Sequence, residues 1–256
     1  MTDSIIESRP AATLVIVRDR AGAAPEILML ERSRSMAFAA GALVFPGGAV
    51  DEGDRRMAAQ VAGALPIDEA AARIAAIRET IEEAGLGLGF AQAIDQPTVL
   101  RLRDGLHDGN DFADLLHKLD LTLDLDALIP FARWRPTAFD RATRVFDARF
   151  YLARAQEGQV ASVDATENVR LFWSSAAATL AMADAGQAAI IYPTRRNLER
   201  IALADSYDAL AGHAAAFPVE RITPWIETRE GEPHLCIPDH LGYPVTAEPT
   251  GQVRRA

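Results

Sequence analysis

Between Arg78 and Leu86 the chain reads RETIEEAGL, placing Glu79, Glu82 and Glu83 within five residues. On a helix these three carboxylates fall within about a third of the circumference. Like charges three or four residues apart destabilise a helix by a few tenths of a kcal/mol each. Arg78, the only cation in the segment, lies N-terminal to its i+4 partner Glu82, which is the weaker orientation. As a solvated surface the pattern is unfavourable. A hard divalent cation reverses the sign, because carboxylate oxygens are what Mg2+ and Mn2+ prefer. A charged helix face is the plain alternative; a bound cation would need a second wall brought up to this face. The FPGG turn at Phe45 to Gly48 is the candidate for that wall.

The surrounding pattern alternates strands and helices. Ala12 to Arg18 reads as a buried strand and Glu26 to Glu31 as its hairpin partner, with Gly22 and Pro25 in the turn. Ala42 to Phe45 is a short strand leading into the turn, and Asp51 and Asp54 follow in a polar loop. Arg55 to Pro66 is Ala-rich and predicts a helix. Asp68 is positioned as N-cap of the next helix, which runs to Ala84 with Gly85 as its stop. Residues 92–128 predict two or three short helices. Phe131 to Arg135, Arg144 to Ala153 and Arg170 to Trp173 predict strands, and Ser174 caps a following helix. Helices are expected over 194–203 and 206–215, with Arg195 and Arg196 on a solvated face. A proline-rich arm runs from about 219. No internal repeat or separating linker is present, so the whole of 1–256 reads as one domain with helical insertions at about 55–67 and 92–128.

Bulk properties narrow the class. The net charge of −10 argues against a surface that grips nucleic acid through phosphates. A single cysteine, Cys236, excludes an internal disulfide. The N-terminus has no basic region followed by an apolar run, and no apolar stretch reaches membrane-spanning length. The C-terminal VRRA is not a peroxisomal address. The expectation is a cytoplasmic protein without membrane contact, for which a homodimer is allowed.

From Gly48 to Leu86 the chain resembles a Nudix hydrolase. Gly48 is followed six positions on by Asp54, and Arg78-Glu79-Thr80-Ile81-Glu82-Glu83-Ala84-Gly85-Leu86 completes the motif. Asp54 replaces the usual Glu, and Thr80 occupies an apolar position. Arg78 follows Gly48 by 30 positions, sixteen more than in the family pattern. This enlarged box, with the upstream RSRSMAFAAGALVFPGG, is similar to the coenzyme A diphosphatase branch and its peroxisomal subgroup. FARWRPTAFDRATRVFDARFYLA and the helix-capping segment after Glu167 extend the likeness over most of the chain.

The resemblance implies an α/β/α sandwich with a mixed β-sheet, and hydrolysis of a diphosphate joining a nucleoside to another group. For the coenzyme A branch the products are adenosine 3′,5′-bisphosphate and (acyl)phosphopantetheine. An ADP-ribose or NADH diphosphatase is the alternative, and a non-catalytic Nudix-fold binding module is a second. Mg2+ or Mn2+ is the implied cofactor, and a small nucleotide the partner. Glu79, Glu82 and Glu83 are assigned as metal ligands, with the Gly48 carbonyl added as in the family. Arg78 orients a motif acid, Asp54 or Glu82. The general base is Glu82 or a distal loop acid, for which Glu167 is the candidate. Arg32 and Phe38 are read as loop supports.

Overall fold

The computed structural model describes residues 8–33, 39–135, 145–163 and 168–253. Strand β1 (Ser8–Arg20) is its axis, and β2 (Ala23–Arg32) returns beside it. The turn region supplies two short strands, β3 (Leu43–Val44) and β4 (Gly47–Ala49). Helices α1 (Glu52–Val61), α2 (Ile67–Ala84), α3 (Gln96–His107) and α4 (Phe112–Lys118) come next. Strands β5 (Ile129–Trp134), β6 (Val145–Arg154) and β7 (Asn168–Ser175) precede helices α5 (Ala176–Asp184), α6 (Tyr192–Ile201) and α7 (Tyr207–Ala216). Strand β8 (Arg221–Ile222) adds to the main sheet. β9 (Trp225–Arg229), β10 (Glu232–Cys236) and β11 (Ala247–Pro249) form a separate antiparallel sheet.

The main sheet is mixed. β6 runs parallel to β1 from Ser8 to Val17, whereas β5 is antiparallel to β6 and β7 antiparallel to β2. The other edge of β1 is shared. β4 occupies Ala11 to Thr13, and β2 joins from Val17 onward. Between them the Leu14 N–H donates to the Pro46 carbonyl at 2.9 Å, so the FPGG turn is wedged into the sheet.

Side-chain alternation along β1 then sorts the core into two layers. Ala12, Leu14 and Ile16 face α1 to α4, while Val15 and Val17 face α5 to α7. This is the expected α/β/α sandwich. On the first face α2 is alanine-rich, and Ala71, Ala72, Ala75 and Ala76 are fully buried. Small side chains let this helix sit close to the sheet and to α1.

Several local expectations shift. α1 begins earlier than predicted because Asp51 and Asp54 make a capping box: each carboxylate accepts the other's backbone N–H, at 2.8 and 2.9 Å. Asp68 caps nothing. α2 starts after Pro66, and Asp68 instead meets Arg55 at 2.8 Å. The cap of α5 is Ser175 rather than Ser174, since its hydroxyl accepts the Ala178 N–H. Arg196 is buried rather than solvated, tied to Glu199 and Glu248. The proline-rich arm from about 219 gives β8 to the main sheet and folds the rest into the separate three-stranded sheet.

Candidate active site

Helix α2 ends in a left-handed Gly85 whose N–H donates to the Ile81 carbonyl, so the helix stops one residue after Ala84. Its last two turns carry Arg78, Glu79, Glu82 and Glu83. The extra sixteen residues do not separate the two halves of the site. They are taken up by α1, the 62–66 connection and the start of α2, and the FPGG turn still meets the carboxylate helix. The Gly47 N–H donates to Glu83 Oε2 at 2.8 Å. A Cβ on Gly48 would fall 2.3 Å from the Glu79 carboxyl carbon, so glycine alone leaves that carboxylate against the backbone.

Arg78 pairs with both acids expected of it. Its Nε and Nη2 donate to the two oxygens of Asp54 at 3.0 and 2.9 Å, a bidentate fork. Its Nη1 donates to Glu79 at 3.0 Å and Glu82 at 3.2 Å, and Nη2 reaches the Ala49 carbonyl. Burial works against the Arg78 charge, yet Asp54, Glu79 and Glu82 hold its pKa above the usual arginine range. Asp54 is 2% exposed, so it is a structural acid and not a loop solvator.

Glu79 is pushed up to about 8, first by burial and then by the charges of Glu83 and Glu82, with Arg78 opposing. Thr80, polar where the motif is apolar, is fully buried and donates to the Ala76 carbonyl at 2.7 Å, so its hydroxyl is satisfied within its own helix.

A cavity of about 270 Å3 opens onto Gly47, Gly48 and Glu79. Phe45, Trp134, Phe146 and Phe150 make its aromatic walls, and Arg32, at the end of β2, also lines it. Phe45 and Phe150 meet edge to face at 6.4 Å.

Two contributors escaped the sequence pattern. Asn168, 1% exposed at the start of β7, donates from Nδ2 to Glu83 Oε1 at 3.1 Å. Arg103 of α3 donates to the Glu82 carbonyl. Glu167 and Phe38 lie outside the described residues.

The family model of the NUDT19 Nudix domain matches residues 55–201, more than half of the chain. The chain is a Nudix hydrolase. Human acyl-coenzyme A diphosphatase NUDT19 is 30% identical in an alignment covering 58% of this chain and 53% of that protein, so the chain spans about half the length of this curated relative. The Nudix hydrolase of Alicyclobacillus acidocaldarius has the same fold, with a TM-score of 0.73 at 28% identity over 82% of this chain and 97% of that one.

Nudix hydrolases generally need divalent metal ions and act on small nucleotide derivatives. The Nudix helix here fits such an ion in chemistry: three carboxylates crowd one helix end, and the Gly48 cradle keeps backbone beside Glu79. Each carboxylate already has a donor from the protein: Glu79 shares the Arg78 Nη1 with Glu82. Glu82 is held by Arg78, and Glu83 by Gly47 and Asn168. Among the described residues no three His, Cys, Asp or Glu side chains already converge as a ligand group. Among the described residues, too, no helix is long and apolar enough to cross a membrane.

Proposed function

We propose that this enzyme hydrolyses the diphosphate of coenzyme A or an acyl-coenzyme A. Water adds to one phosphorus, the bridging P–O bond breaks, and adenosine 3′,5′-bisphosphate and (acyl)phosphopantetheine leave. The observation that carries the reading is the aromatic cavity opening onto the Gly47–Gly48–Glu79 wall. It offers rings for a flat or apolar substrate group within reach of the carboxylates, and Arg32 as a cation for phosphate. The activity named for the human relative supports the coenzyme A branch.

Glu79, Glu82 and Glu83 would hold Mg2+ or Mn2+, with the Gly48 carbonyl as a further ligand. Such a cation, when bound, neutralises the diphosphate and lowers the pKa of a coordinated water. The chain's own residues do the rest. Arg78 is the orienter: anchored on buried Asp54, it fixes the rotamers of Glu79 and Glu82. Glu83 is aimed by one N–H from each side, Gly47 and Asn168. Glu82, held by the weakest of these contacts at 3.2 Å, is the acid freest to accept a proton from water. Glu167 remains the alternative base.

A panel of coenzyme A, acyl-coenzyme A thioesters, ADP-ribose and NADH, with products identified by mass and Glu82→Gln as control, tests the proposal. Preferred turnover of coenzyme A compounds is expected. Preferred turnover of ADP-ribose or NADH moves the enzyme to the other branch.

A further inference from the structure

The last turn of α2 carries Glu82 and Glu83, with Glu79 one turn back, yet it contains no basic residue to offset the negative helix end. Each added carboxylate worsens that balance. The correction comes from elsewhere in the chain. Arg103, in the middle of α3 and 7% exposed, donates from Nε to the Glu82 carbonyl at 2.9 Å. Its Nη1 donates to Ser162 Oγ at 2.8 Å. The Ser162 N–H in turn donates to the Ala84 carbonyl at 2.8 Å, and Gln96 of α3 donates to the Gly85 carbonyl at 3.2 Å. The helix end is thus clamped between α3 and the segment that follows β6. Six residues after Ser162 comes Asn168, which holds Glu83.

We infer that Arg103 is a positioning residue for hydrolysis, pinning the Glu82 backbone and Ser162 together so that the carboxylates of α2 keep their register against the FPGG turn. The inference rests on the reading that Glu79, Glu82 and Glu83 do the chemistry. It also gives the 92–128 insertion a task, since α3 is built from it. Gly85 fits the arrangement. A Cβ there would stand 2.8 Å from Ser162 Oγ and 3.1 Å from Arg103 Nη1, so the cap residue leaves room for the clamp.

Two roles for Arg103 predict opposite effects on metal affinity. If its charge merely sits near the carboxylates, removing it strengthens cation binding. If it positions them, removing it weakens binding, because donors must be held close to their productive places. The test uses full-length protein, with Mn2+ titrated by electron paramagnetic resonance alongside steady-state kinetics and thermal unfolding. Arg103→Ala is expected to weaken Mn2+ binding at least fivefold and to lower kcat about 10- to 100-fold, with KM changed less than threefold. Arg103→Lys, which keeps one donor for the Glu82 carbonyl, is expected to recover part of both, and serves as the probe if the alanine variant does not fold. Ser162→Ala is expected to show the same pattern more weakly. Unchanged or tighter Mn2+ binding in Arg103→Ala, or in Arg103→Lys should only that variant fold, overturns the inference. Glu82→Gln separates this from failure of the site itself: if that variant keeps full turnover, the carboxylate reading falls whatever Arg103 does.

Discussion

Replacing Gly48 by alanine perturbs one group in one direction. The new methyl would stand 2.3 Å from the Glu79 carboxyl carbon and Oε1, and 2.5 Å from Oε2. Carbon contacts become ordinary near 3.5 Å, so the carboxylate must retreat by about 1 Å. A displacement of that size in a group that sets reacting geometry costs about 100-fold in rate. Folding should hardly notice. The obstacle is the far end of a flexible side chain, and the Gly48 backbone is not among the positive-φ positions. Steady-state hydrolysis at saturating Mg2+ and urea denaturation together read the split. The expected outcome for Gly48→Ala is kcat/KM down about 100-fold with unfolding free energy within about 1 kcal/mol of wild type. Gly47→Ala supplies the contrast. Its methyl would meet the Ala12 carbonyl at 2.3 Å and Thr13 Cα at 2.7 Å, both immovable backbone of β1. That variant should lose about 2 kcal/mol or more of stability. If Gly48→Ala keeps kcat/KM within threefold of wild type at equal stability, the seat of Glu79 on the turn plays no part in turnover and the cradle is refuted.

Arg78→Met strips the fork from an acid buried to 2% exposure, and equilibrium denaturation should show a loss of about 3–5 kcal/mol. Thr80→Val should change stability by less than about 1 kcal/mol and leave kcat intact, because the hydroxyl serves only its own helix. Asn168→Asp sets a carboxylate against Glu83, and kcat at neutral pH should fall at least about tenfold. Burial works to raise the Asp147 pKa, but the Arg133 fork, with Arg149 and Arg221 nearby, holds it below the usual carboxylate range. The folded state therefore binds fewer protons there than the unfolded chain, and the stabilisation is present above about pH 4 and lost as pH falls through the folded value. Denaturation of wild type and Asp147→Asn from pH 6 to pH 3 should show a gap that closes below about pH 4.

What was legible in the sequence is what local chemistry dictates. The carboxylate face of α2 and its Gly85 stop follow from helical periodicity and a left-handed cap. The sheet strands follow from alternation and apolar runs. Helix starts were read less well, because adjacent residues satisfy the same rule. Ser174 and Ser175 are equally good caps on paper, and only the chain direction leaving β7 selects the second. Asp51 and Asp54 read as loop acids because the capping box needs Asp54 to act as an N3 residue, while its other role depends on Arg78, 24 residues away. Asn168 and Arg103 were out of reach for the same reason. Their contacts with Glu83 and Glu82 span 85 and 21 residues, and no periodicity indicates where a lone buried polar side chain aims.

The hydrogen bond from the Gly47 amide to Glu83 gives the molecule a built-in spectroscopic reporter. A peptide proton held at 2.8 Å by a carboxylate is in a charge-assisted bond. Its resonance in a nitrogen-15-labelled sample belongs far downfield, and its exchange with deuterium should be slow. On the proposal that Glu83 is a metal ligand, titrating Mg2+ is expected to shift that single peak, before any substrate is present and without a chromophore. One amide on the opposite wall of the site would thus report whether a cation reaches the helix.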